Sequence, residues 1–137
     1  MPSPLRHRAR QFALQFLFQA DRSPSADPHT IAELLRVHFL HFDVPQDVQD
    51  FAAELSSGTL LHLSKIDEKL AAIAQNWSIG RMSSVDRNIL RLASFELLYR
   101  PDTPRAVVLN EAVELAKEYG EANSPAFVNG ILDKIVP

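Results

Sequence analysis

The segment from Ser84 to Leu98 constrains the fold more than any other. Val85, Ile89, Leu90, Leu92, Ala93, Phe95, Leu97 and Leu98 surround most of a helical cylinder rather than one stripe. A helix apolar on nearly all sides must be covered by other elements, so it is read as the centre of a packed domain. Ser83 or Ser84 opens it, with Asp86 in the first turn where the helix dipole favours an acid. Pro101 and Pro104 stop it.

The rest of the chain supplies the cover in short amphipathic pieces. A first helix is expected from about Pro4 to Ala20, ending before Ser23-Pro24. A second starts at Asp27-Pro28, an N-cap followed by proline at the first helical position, and carries Ile31, Leu34, Leu35, His38 and Phe39. A third follows Pro45, with Val48, Phe51, Ala52, Leu55, Thr59 and Leu63 on one side. Gly58 inside it points to close packing or a kink. A fourth is expected to be capped by Ser64, with Ile66, Leu70, Ile73 and Trp77 as its apolar line. A sixth runs from about Arg105 to Tyr119, with Gly120 as a left-handed C-cap. A seventh starts at Ser124-Pro125 and carries Phe127, Val128, Ile131, Leu132 and Ile135. No alternating strand pattern and no internal repeat is found. The expected fold is all-α: a compact bundle of about seven helices in a single domain over residues 1–137.

Composition narrows the chemistry. A hydrophobic content of 46% suffices for a core, and the chain has no cysteine, which excludes a disulfide scaffold, a thiolate zinc site and a cysteine nucleophile. No apolar run is long enough to span a membrane. Arg8 and Arg10 interrupt any signal-peptide apolar region, so a cytoplasmic protein is expected. His38 and His41 are spaced to ligate one metal from a helix, with His62 and Asp43 as remote candidates, but no third ligand is fixed and no metal is expected. Glu111, Glu114 and Glu118 follow helical spacing and are read as a solvated face. Asn110-Glu111 and Asn129-Gly130 are read as polar or close-packed bracing. No phosphate loop, dinucleotide loop or nucleophile elbow is present, so no enzyme and no cofactor is expected.

Charge is distributed unevenly. Arg6, Arg8 and Arg10 are the only charged side chains before Asp21, whereas the whole chain has 14 basic and 17 acidic residues. A basic tip on an acidic body points to two partners, a phosphate backbone and a basic protein. At roughly 100° per residue, Leu5, Ala9, Phe12, Ala13, Phe16 and Ala20 form the core stripe of the first helix. Arg6, His7, Arg10, Gln11, Leu14 and Phe18 fall away from it, and Arg8 lies farther round. Exposed Leu14 and Phe18 call for a covering partner; packing of Phe18 against a neighbouring loop is the plain alternative.

Two blocks carry a family resemblance. VDRNILRLASFELLYRPDTPRAVVLNEAVELAKEYGEANSPAFVNGILDKI, from Val85 to Ile135, resembles the C-terminal signature of the bacterial NusB family (transcription antitermination factor B). LRHRARQFALQFLFQ, from Leu5 to Gln19, is similar to that family's opening. The resemblance implies two packed helical subbundles. It also implies that the arginine-rich first helix contacts boxA RNA, the antitermination element of ribosomal RNA leaders. Arg6, Arg8 and Arg10 match that motif, and His7 stands where members often have another basic residue. His7 and Gln11 add donors, and Phe127 could stack on RNA at the rim. The implied protein partner is NusE, a small ribosomal protein, on a surface comprising Leu14, Phe18, Asp86 and Asn123, within the RNA polymerase antitermination complex. Asn123 stands where an acidic residue is common, with Glu121 close by.

Plainer readings stand beside these. Asp86 suits any helix first turn, Asn123 or Ser124 can be a simple N-cap, and Phe127 precedes Ile131 by one turn, as core residues do. Other functions considered are the RNA-binding appendage of an RNA cytosine methyltransferase and a self-associating helical structural protein. Some family members form homodimers that bury the RNA face.

Overall fold

A computed structural model describes residues 4–74 and 78–137. Among the described residues seven α-helices follow one another: α1 Pro4–Ala20, α2 Pro28–Phe39, α3 Gln46–Leu61, α4 Leu63–Ile73, α5 Ser84–Tyr99, α6 Arg105–Tyr119 and α7 Ser124–Leu132. A 3₁₀ turn, Ile79–Arg81, precedes α5, and no strand occurs among the described residues. The α2 start is as expected: the Asp27 carboxylate accepts the Thr30 amide at 2.9 Å, with Pro28 in the first turn. At α5 the Ser83 hydroxyl accepts the Asp86 amide at 3.1 Å.

The apolar cylinder of α5 is explained by its neighbours, since it packs against α1, α3, α4, α6 and α7. Helices α1–α3 pack on one another, as do α5–α7, and α5 joins the two groups. Ile89 and Leu90 at the middle of α5 are fully buried. Arg105 fastens the C-terminal end: its guanidinium donates to the carbonyls of Leu132, Asp133 and Ile135 at 3.1, 2.9 and 2.6 Å. Carbonyls at a helix end lack partners within the helix, and here a cation supplies them.

Several local expectations are corrected. The break between α3 and α4 falls at His62, so Ser64 does not cap α4 and Leu63 belongs to it. The His62 ring explains the break: Nδ1 donates to the Gly58 carbonyl at 2.9 Å, and the ring lies 4.0 Å from that of Tyr99. Leu5 is 48% exposed, because α1 begins beyond the reach of the core. Gly120 is extended (φ −93°), not left-handed; a side chain there would collide with Ser124 and the Ala116 carbonyl, so space requires the glycine. Gly130 faces open space and Asn129 is exposed, so neither braces a neighbour. Trp77 lies outside the described residues.

Gly58 meets its expectation. A Cβ there would run into the Phe95 ring, which is buried. Gly58→Ala should therefore destabilise the fold by about 1–2 kcal/mol net, overpacking outweighing the gain of about 1 kcal/mol in helix propensity. Urea unfolding measures this; a more stable variant would mean that Phe95 gives way freely.

Candidate functional site

Helix α1 is buried on two sides, by α3 and by α5, and this divides its polar residues into two classes. Arg6 and Arg8 are exposed. The Arg6 guanidinium lies over the Phe51 ring, 4.5 Å from its centroid, and that of Arg8 lies 5.6 Å from the centroid of Phe12. A planar guanidinium stacks on an aromatic face in this way.

Arg10 departs from expectation. It is only 2% exposed and held between two buried carboxylates: Nε and Nη2 donate to Glu96, both at 2.8 Å, and Nη1 donates to Glu111 at 3.1 Å. Burial opposes its charge, but the hydrogen bonds and attraction of Glu96 and Glu111 outweigh it, so its pKa is raised. Arg10 therefore joins α1 to α5 and α6 from inside and does not belong to an exposed RNA face. Glu111 likewise leaves the solvated face assigned to it; bracing describes it, whereas Asn110 is exposed.

His7 sits at the rim of this network. Nδ1 lies 2.7 Å from Glu111 Oε2 and Nε2 lies 2.8 Å from Glu118 Oε1. A neutral imidazole has one N–H, so both contacts are hydrogen bonds only in the imidazolium form. Burial works against that charge, but the bonds to Glu111 and Glu118 and their attraction prevail, and the pKa lies above its ordinary value. Gln11, one turn on, donates to Glu118 Oε2 at 2.7 Å.

The partner residues expected from sequence fall around the start of α5. Leu14 is 4% exposed, a correction, because the groove it floors is walled by Val85 and Tyr119. Phe18, at 50% exposure, stands at the edge of this groove, which measures about 320 Å³. On the other side of α5's first turn, Asp86, Asn123 and Phe127 line one depression with Arg81 and Glu121. Asp86 Oδ1 is buried there without a hydrogen-bond partner among the described residues. Phe127 is half-buried and packs on the core, on the side of Asp86 rather than of the arginines.

Behind this surface lies a second ion network that was not read from the sequence. Asp21, at the end of α1, bonds Arg87 and Arg91, and Arg91 also bonds Asp67 of α4 at 2.8 Å. Arg87 donates in addition to the carbonyls of Ile79 and Met82 at 3.2 and 2.9 Å. Burial favours the neutral Asp21, but Arg87, Ser84 and Arg91 keep its pKa below the usual range. Arg87 thus fixes the turn that presents its neighbour Asp86. A charge inside an otherwise apolar helix is the signal that could have revealed Arg91 and Glu96 as buried pairs.

A wider groove, about 600 Å³ between α1 and α2, contains none of the residues expected to meet RNA or NusE. His38 lines it, its ring packed on Phe16, Phe39 and Phe42. Burial, with repulsion from His41, holds the pKa of His38 below its ordinary value. Among the described residues no three metal-ligating side chains come together. Among the described residues no helix is long and apolar enough to cross a membrane.

Comparison with known proteins places this geometry. The NusB family model matches residues 7–137. The chain is 46% identical over 131 residues to the transcription antitermination protein NusB of Desulfitobacterium hafniense (strain Y51), covering 96% of this chain and 87% of that one. It is 47% identical to the protein of that name from Anaeromyxobacter dehalogenans, covering 95% and 89%. Among solved structures, T. maritima NusB superposes with a TM-score of 0.82 at 38% identity, covering 98% of this chain and 92% of that one. A chain from a crystal structure of antitermination factors NusB and NusE in complex with dsRNA superposes with a TM-score of 0.83 at 27% identity, covering 98% and 97%. With the family model spanning almost all of its length and relatives 46–47% identical over nearly the whole chain, this chain belongs to the NusB family.

Proposed function

We propose that this protein is a transcription antitermination factor that binds boxA RNA of ribosomal RNA leaders together with NusE. In the cytoplasm it assists processive transcription by RNA polymerase, acting through surfaces and without catalysis. The observation that carries this reading is the likeness, over 98% of the chain, to a chain from a structure containing NusB, NusE and RNA.

The geometry supports a division of labour. RNA is met at the start of α1, where Arg6 and Arg8 are exposed and His7 and Gln11 lie on the adjoining face. Arginine forks suit phosphate oxygens, while base identity requires stacking and edge contacts. NusE is met around the start of α5, where Phe18 is exposed over a groove floored by Leu14, and where Asp86, Asn123 and Phe127 share a depression. The Asp86 carboxylate lines this depression and gives it a negative charge that suits a basic protein. Two surfaces on one rigid bundle let either partner favour the other through a shared coupling free energy.

Substituting Arg6 and Arg8 together by alanine should weaken boxA binding and flatten its salt dependence. Each lost phosphate contact removes about 0.7 from the log–log slope on a single strand. The slope is read from titrations at several salt concentrations with single-stranded and duplex RNA. An unchanged slope would remove the start of α1 from the RNA site.

A further inference from the structure

Glu118 occupies the place that the RNA reading gives to a phosphate. Its two carboxylate oxygens accept from Nε2 of His7 at 2.8 Å and from Nε2 of Gln11 at 2.7 Å. These donors are one turn apart on α1, so they present a pair of N–H groups to a single two-oxygen acceptor. We infer that Glu118 is an internal competitor for the RNA backbone, a carboxylate that holds His7 and Gln11 until a phosphate displaces it. The inference rests on the proposed role of the start of α1 in RNA binding and deepens it.

The two acids that face His7 are not equivalent. Glu111 is buried and also bonds Arg10, so moving it would open the interior. The Glu118 side chain is 35% exposed, on the last turn of α6, and among the described residues the bonds it makes are the two to α1. It can turn to solvent while Glu111 keeps Nδ1 of His7 in place. An incoming phosphate would then meet the two donors already oriented by α1. Exchange of a carboxylate for a phosphate keeps both N–H groups bonded, so the net gain is small and set by how firmly Glu118 competes. Glu118 thereby sets RNA affinity and restricts binding to anions that present two oxygens at that spacing.

The test is fluorescence anisotropy of boxA RNA against the full chain, beside a scrambled RNA. Five forms are compared: wild type, Glu118→Gln, Glu114→Gln, Gln11→Ala, and the double variant Gln11→Ala/Glu118→Gln. Glu114 carries the same charge one turn earlier but bonds Lys117 instead, at 3.4 Å. Glu118→Gln is expected to bind boxA about three- to fivefold more tightly, the size of an exposed ion pair. Its salt slope should steepen, by up to about 0.7, as one cation is freed to meet phosphate. Glu114→Gln should change affinity less than twofold, and the gain should shrink but persist in the Gln11→Ala background, because His7 is still released there. If Glu118→Gln binds no more tightly, or Glu114→Gln gains as much, the competitor is refuted while RNA binding by the wild type stands. If the wild type prefers boxA to scrambled RNA in no condition, the RNA reading fails, and the competitor with it.

Discussion

Arg10→Ala is expected to lower the melting temperature by about 10 °C or more, because removing one member of a buried ion cluster costs about 3–5 kcal/mol. The loss arises from what remains. Glu96 and Glu111 are 2% and 3% exposed, and without the guanidinium they become two carboxylates in an apolar interior facing each other across a void. Of these two carboxylates, His7 bonds Glu111. The other arginines of the motif give the contrasting result: Arg6→Ala and Arg8→Ala act on exposed side chains and should change stability by about 0.5 kcal/mol or less. Thermal unfolding followed by circular dichroism separates the two classes. An Arg10→Ala variant as stable as the wild type would show that Arg10 is not the bridge between α1, α5 and α6.

The second large effect is expected at Asp86. Asp86→Lys should weaken NusE binding by about 2 kcal/mol or more, roughly thirtyfold, since it replaces a carboxylate lining the depression at the start of α5 by a like charge facing a basic partner. The fold should tolerate the change. Ser83 caps α5 through the Asp86 backbone amide rather than its side chain, and the dipole penalty in a first turn is about 0.3–1 kcal/mol. RNA binding by the protein alone should be unaltered, because Asp86 and the arginines lie on different parts of the surface. Calorimetric titration with NusE measures the loss; unchanged affinity would move the partner surface elsewhere.

Most of the helical framework was legible in the sequence because it depends on local signals. Asp27-Pro28 and Ser83 are caps whose chemistry acts within three residues, and the apolar cylinder of α5 states that the helix is central without saying what surrounds it. What escaped depends on contacts distant in sequence. Arg10 has the same appearance as Arg6 in a helical projection, and the distinction arises from Glu96 and Glu111, 86 and 101 residues away. Leu14 falls outside the single core stripe of a helical projection, but α1 is buried on two faces, and the second is supplied by Val85 and Tyr119. Gly120 was legible as a glycine requirement but not in its cause, which is the approach of Ser124 rather than a left-handed backbone. The pairing of His7 and Gln11 with Glu118 joins two segments that each look like a solvated face.

The central claim is that two surfaces on this bundle are coupled through RNA and a protein partner. Fluorescence anisotropy of boxA RNA, titrated with the protein in the presence and absence of NusE and beside a scrambled RNA, tests it most directly. Selective binding to boxA that tightens when NusE is added is the expected result. Equal, weak binding to both RNAs, indifferent to NusE, would contradict it.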